Sequence, residues 1–105
     1  MIIIAKTVKN MDMLIAKAEC LLDEAIENKD EYPTLAEAYY DSYICMKKSI
    51  LTLHDSVVKF IKEEATKDKD ESILSVMRKI WSFEQSLYME HMKYLENKED
   101  KYKDL

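Results

Sequence analysis

The sequence contains no glycine and a single proline, Pro33, among its 105 residues. Tight β-hairpin turns depend on glycine, because glycine adopts left-handed backbone conformations at little cost. The phosphate-binding loops of nucleotide-binding proteins need glycine so that the backbone can approach the phosphates closely. The composition therefore argues against hairpin-rich β folds and excludes P-loop and dinucleotide-binding sites.

Arginine is also scarce, with Arg78 alone, and 21 acidic residues outnumber 16 basic ones for a net charge of −5. Residues 1–31, 32–69 and 70–105 carry net charges of −3, 0 and −2, so no segment is basic overall. Proteins that bind nucleic acids place clustered lysine and arginine along one face. We therefore expect no nucleic-acid partner.

Neither the two cysteines nor the apolar beginning of the chain matches the pattern of a redox site, a zinc site, a secretion signal or a membrane span. Cys20 and Cys45 have neither the CxxC spacing of redox sites nor the spacing of zinc ligands. The apolar beginning, residues 1–5, is too short for a secretion signal or a membrane span. We expect a cytoplasmic protein with no membrane partner and no cofactor.

The residues that are present predict a single all-α domain over residues 1–105, with 48% hydrophobic and 35% charged residues. Apolar residues recur at alternating spacings of three and four, which is typical of helices that pack along a narrow seam. The pattern predicts helices over about 2–29, 34–67 and 71–97, followed by a charged tail at 98–105 that frays. The stripe of the first helix is unbroken and consists of Ile4, Val8, Met11, Ile15, Ala18, Leu22 and Ala25.

Short polar breaks separate the three helices. Pro33 ends the first helix, and Thr34 with Glu37 has the spacing of a capping box for the second. Asp70 or Ser72 can cap the third helix. Short connections favour antiparallel neighbours, so we predict an up-down-up three-helix bundle.

The second and third helices carry wider apolar faces than one small bundle can bury. Their arcs span about 200° and 180°, whereas a surface helix needs roughly 100°. The second helix is therefore expected to be the central element or to meet a partner chain. We expect the chain to associate into a larger oligomeric helical bundle.

Polar residues within these faces are the candidates for chemistry. If the second and third helices pair about residues 69–70, His54 lies level with residue 85, in the same layer as Glu84. Together with His91, these side chains are candidate metal ligands, as in carboxylate-bridged sites of helical bundles. However, seven residues separate Glu84 from His91, which is roughly 10 Å along a helix. We therefore expect His54 and Glu84 to form a buried polar pair rather than a metal site.

Aromatic residues are the candidates for packing or for an interface between chains. Their rings suit dry contacts while their polar tips reach water. Three of the five cluster near the start of the second helix. The set is Tyr39, Tyr40, Tyr43, Trp81 and Tyr88.

Residues 54–76 resemble the IIA phosphocarriers of lactose and cellobiose uptake, which are three-helix proteins. The similarity rests on His54, Phe60-Ile61, Glu64-Ala65 and the run Ser72-Ile73-Leu74-x-Val76. The phosphorylated histidine of that family falls on Met77 and its neighbouring aspartate on Ile80. The resemblance therefore implies a self-associating helical bundle without phosphotransfer.

Together these features predict a small non-enzymatic helical bundle. Its partners are expected to be a second copy of itself, another protein, or both. The alternative is a metal- or ligand-binding bundle that uses the layer of His54, Glu84, Tyr88 and His91.

Overall fold

A computed structural model of the protein describes residues 2–67 and 70–104. Within these residues the chain forms three helices and no strand: α1 (Ile2–Asn28), α2 (Pro33–Ala65) and α3 (Glu71–Lys103). The three helices pack against one another, as the apolar spacing predicts. In the part of the chain that the structure describes, no helix has a stretch long and apolar enough to cross a membrane.

The bundle is long and thin, with extents of 58 × 19 × 17 Å. Its radius of gyration is 16.9 Å, whereas a compact domain of this length has about 13 Å. Three helices of this length can therefore share only one narrow seam. The cross-section limits how much of each apolar face a single chain can bury.

The seam is built from the predicted heptad stripes. Nearly the whole α1 stripe is buried, and α2 contributes one buried residue on every second turn. Of the three helices, α1 approaches both others most closely, rather than α2 as the width of its apolar arc suggests. The small side chains of Ala18 and Ala25 on α1 and of Ala36 on α2 are fully buried, which lets these two backbones come close together. The other buried residues of α1 and α2 are Ile4, Met11, Ile15, Leu22, Tyr43, Ile50 and Val57.

The start of α2 differs from the prediction. Helix α2 begins at Pro33, with Tyr32 as the N-cap residue and no side-chain hydrogen bond to the cap. The predicted capping box of Thr34 and Glu37 is therefore wrong. Proline supplies the start instead, because its fixed φ suits the first helical position and it has no N–H to satisfy.

The start of α3 follows one of the two predicted alternatives. The Oδ1 atom of Asp70 accepts hydrogen bonds from the backbone N–H of Ser72 at 2.9 Å and from its hydroxyl at 2.8 Å. These bonds satisfy a donor that the first turn of a helix leaves free. None of the described residues has a positive φ, which agrees with a chain that lacks glycine.

The prediction that α3 ends near 97 and that the charged tail at 98–105 frays is wrong for residues 98–103, because α3 continues to Lys103. Three side chains of this segment bind the other two helices. Lys98 contacts Asp23 of α1 at 2.6 Å, and Glu99 accepts a hydrogen bond from Lys47 of α2 at 2.9 Å. The ring of Tyr102 stacks on Tyr40 with centroids 4.4 Å apart. These contacts hold a highly charged sequence in helical form.

A matched pair of substitutions on α2 tests the assignment of its faces. Ile50 is fully buried and the adjacent Leu51 is 41% exposed. We expect Ile50→Ala to lower the free energy of unfolding by about 2–5 kcal/mol and Leu51→Ala by about 0.5 kcal/mol or less. Urea unfolding followed by circular dichroism measures both. Equal losses for the two variants would contradict the assignment.

Candidate functional site

His54 lies at the predicted level of the bundle, but its partner differs from the prediction. Its Nε2 atom is 2.8 Å from Oε1 of Gln85, the residue that follows Glu84. The pairing register about residues 69–70 is therefore confirmed, whereas the predicted pair of His54 and Glu84 is wrong. One residue along a helix rotates a side chain by about 100°, which turns Glu84 away from α2.

The His54 ring is enclosed by aromatic side chains of α3. It stacks on Tyr88 with centroids 4.2 Å apart and an interplanar angle of 13°, and Trp81 lies 5.2 Å away. Its other nitrogen, Nδ1, is 3.4 Å from the exposed carboxylate of Asp55. His54 is thus a packed side chain with a hydrogen-bond partner in the bundle.

Glu84 points into the seam between α1 and α3. It is only 2% exposed, and its Oε1 atom has no hydrogen-bond partner. Asp12 on α1 is the neighbouring acidic side chain. Burial, together with this second carboxyl, raises the pKa of Glu84 to about 7. Among the described residues, no basic side chain pairs with either carboxylate.

The three predicted metal ligands do not come together. His91 is exposed on α3, Glu84 faces α1 and His54 faces Gln85. Within residues 2–67 and 70–104, no group of three or more histidine, cysteine, aspartate or glutamate side chains could hold a metal ion. Cys20 and Cys45 are free and exposed on α1 and α2.

The tyrosine cluster near the start of α2 packs against the end of α3. Tyr43 is fully buried and Tyr40 lies between it and Tyr102, whereas Tyr39 is half-buried. Burial and the nearby Glu99 carboxylate raise the pKa of Tyr43 above its usual range, although its hydroxyl forms no hydrogen bond among the described residues. The cluster thus joins two helices at one end of the bundle.

The outer side of α3 carries a second apolar stripe beside its buried face. Phe83 is 71% exposed, Tyr94 49%, Ile73 43% and Val76 38%, while Ile80 and Leu87 are half-buried. We call these six residues the outer stripe. Their spacings of three and four place Ile73, Ile80, Leu87 and Tyr94 at heptad positions a, and Val76 and Phe83 at positions d.

Sequence reasoning missed this division of α3, because it treated all apolar residues of the third helix as one wide arc. The available signal was that the apolar residues of α3 fall on two neighbouring lines of the helix. The buried one consists of Leu74, Met77, Tyr88, Met92 and Leu95. The outer stripe is the part of that arc that the narrow bundle leaves uncovered.

An open apolar groove of about 170 Å³ lies between the beginning of α1 and the later turns of α2. Among the described residues, no charged side chain lines it. Thr7 and Ser56 are its polar lining residues, and Ile3, Ile4, Leu53, Val57 and Phe60 supply the apolar ones. The groove can accept apolar groups, but none of its lining residues carries a carboxylate, imidazole, amine or thiol that could act as an acid, a base or a nucleophile.

The chain has no significant match among protein-family models, curated proteins or solved structures. The resemblance of residues 54–76 to the IIA phosphocarriers therefore gains no support from these comparisons.

Because Glu84 is buried, we predict that the free energy of unfolding depends on pH when it is measured at low protein concentration. Because its pKa is raised from 4.5 to about 7 in the folded chain, the folded state holds a proton that the unfolded state releases. The contribution of Glu84 to the free energy of unfolding should be greatest below pH 4.5. It should fall between about pH 4.5 and 7 by the order of 3 kcal/mol and then level off.

Replacing Glu84 by glutamine should remove this slope, since the amide cannot ionise. Urea unfolding across this pH range measures the slope for each variant. Glu90→Gln is the matched control, because Glu90 is exposed on the same helix. An unchanged slope in Glu84→Gln would show that Glu84 is not the titrating group.

Proposed function

We propose that this protein is a small non-enzymatic assembly protein that associates with a second copy of itself, or with a helix of another protein, through the outer stripe of α3. The observation that carries the proposal is the exposure of Phe83, Val76, Ile73 and Tyr94 on one line of the helix. Soluble monomers rarely leave a contiguous apolar patch of this kind open to water. Covering the stripe would be favourable by about 25 cal/mol for each Å² removed from water.

The spacing of the stripe favours a helix as the surface that covers it. A narrow line of residues at heptad positions a and d is the contact pattern of two helices that pack side by side. The stripe runs from Ile73 to Tyr94, which is about 30 Å at 1.5 Å per residue. A helix of five or six turns, such as α3 itself, has a matching length.

The non-enzymatic part of the proposal rests on how the polar groups are used. His54 stacks on Tyr88 and is hydrogen-bonded to Gln85. Lys47, Lys98 and Glu99 form ion pairs between the helices. Each of these groups has a packing partner in the bundle. The outer stripe, by contrast, is apolar and has no packing partner within the described residues, which supports a contact surface.

Sedimentation velocity over a range of concentrations tests the proposal. We expect the wild-type chain to form a dimer or small oligomer, and we expect Phe83→Glu to be monomeric, because a carboxylate at the centre of the stripe would have to be buried unpaired. Helix content by circular dichroism should not change, since Phe83 is 71% exposed within one chain.

Met89→Glu is the matched control. Met89 is 63% exposed on the same helix but lies off the outer stripe, so this variant should associate like the wild type. A monomeric wild-type chain, or equal effects of the two substitutions, would contradict the proposal.

Native mass spectrometry of protein purified without chelator adds a second readout. A mass excess that matches a divalent ion would instead favour the metal-binding alternative.

A further inference from the structure

The two connections of the bundle differ in how strongly they interrupt a helix. Pro33 stands where α1 is joined to α2, and a proline inside a helix removes a hydrogen bond and clashes with the preceding turn. Residues 66–70 join α2 to α3 and contain neither proline nor glycine. The second connection therefore lacks the residue types that most strongly end a helix.

The beginning of this connection stays close to helical geometry. The backbone N–H groups of Thr66 and Lys67 each donate to a carbonyl three residues earlier at 3.2 Å, and Thr66 has φ −86° and ψ −9°. Asp70 departs from the helix with φ −60° and ψ 122°, and there it caps α3 through its bonds to Ser72. The Asp70 cap thus stabilises the turn against a continued helix.

The apolar spacing of α2 continues into α3 without a change of phase. Counting in sevens from Tyr39 on α2 to Tyr102 on α3 gives ten positions, and nine of them are apolar or aromatic, with Lys67 as the exception. All nine are buried or half-buried in the folded chain. A turn can set the rotation of the second helix freely, so a hairpin does not require this agreement. A single helix that packs along one side does require it.

The contacts that hold α3 on the other two helices do not depend on which chain supplies α3. Lys98 contacts Asp23 of α1 at 2.6 Å, and Gln85 lies 2.8 Å from His54 of α2. An α3 from a second copy would find the same partners in the same orientation. Exchange of α3 between two chains therefore loses none of these contacts and differs from the closed chain in the connection.

We propose that two copies of the chain exchange α3 when they fold together at high concentration, forming a swapped dimer in which α2, residues 66–70 and α3 are one continuous helix. A helix from Pro33 to Lys103 would be about 105 Å long at 1.5 Å per residue. Two such helices run antiparallel about a two-fold axis, so that α2 of each copy lies beside α3 of the other. The unbroken apolar series places both contact faces on one side of the helix, which this arrangement requires.

The swapped dimer and the closed chain interconvert slowly, because α3 must leave its place before it can be exchanged. The two connections would cross at the two-fold axis, where Thr66, Lys67 and Asp70 are exposed in the closed chain. Contacts between such exposed polar side chains change the free energy little. The outer stripe stays on the surface in both forms, so this association is independent of the one proposed above.

Cross-linking between two single-cysteine variants detects the exchange. Cys20→Ser, Cys45→Ser and Phe83→Glu are introduced first, so that the two free thiols and the outer stripe do not contribute. Asp23→Cys and Lys98→Cys are then made in separate chains, because these two side chains are in contact across α1 and α3. The variants are unfolded in urea, mixed, refolded at high concentration, diluted and treated with a short bis-maleimide.

We expect the mixture that is refolded together to give a covalent dimer of one Asp23→Cys chain and one Lys98→Cys chain. Variants that are refolded separately at low concentration and mixed afterwards should give none. Absence of the dimer from the first sample, or an equal yield in the second, would overturn the exchange of α3. A wild-type chain that sediments as a monomer would contradict only the association through the outer stripe.

Two substitutions at the start of α3 should change the exchange in opposite directions. Glu71→Pro suits the closed chain, because residue 71 is the first helical position and Asp70 before it is already extended, with ψ 122°. In the continuous helix the same proline lies in the interior, so we expect the association constant of the swapped dimer to fall by about 1000-fold or more. Asp70→Ala removes the cap of the closed connection and should raise that constant by about tenfold.

Size-exclusion chromatography after refolding at a series of concentrations measures both constants. Urea unfolding of the isolated monomers is the control, and Glu71→Pro should unfold at the same urea concentration as its parent or a higher one. Equal amounts of swapped dimer in Glu71→Pro and Asp70→Ala would overturn the continuous helix.

Discussion

The narrow cross-section of the bundle is the constraint on which the rest of the structure depends. Three helices of 27, 33 and 33 residues meet along one seam, within a cross-section of 19 × 17 Å. Each helix can turn only part of its apolar surface into that seam. The buried stripes use the available space, and the apolar residues of α3 that do not fit remain on the outside.

Much of the fold could be predicted from the spacing of apolar residues, because a heptad pattern in a chain without glycine leaves few structures other than long packed helices. Even the register of α2 and α3 followed from the short connection, and the contact of His54 with Gln85 agrees with it. Finer features could not be predicted. Neighbouring residues point about 100° apart, so an error of one residue in the expected facing position replaces Gln85 by Glu84.

The end of α3 and the division of its apolar arc depend on long-range contacts that spacing does not encode. From the sequence alone, Lys98 and Glu99 are assigned to a charged tail, because their partners on α1 and α2 cannot be identified from spacing. Two adjacent residues of opposite charge thus bind two different helices. Likewise, the position of α1 decides which apolar residues of α3 are covered, and Asp12 is opposite Glu84 only because α1 lies there.

None of the described residues has a positive φ, so no backbone position in this part of the chain requires glycine. Selection on such a fold acts on the pattern of apolar and polar residues and on a few charge pairs. Many residue identities can change over evolution while the pattern persists, since cores tolerate substitutions that conserve volume and patterning. Homologous chains could therefore diverge quickly in identity, and they would be recognised by the spacing of their apolar residues.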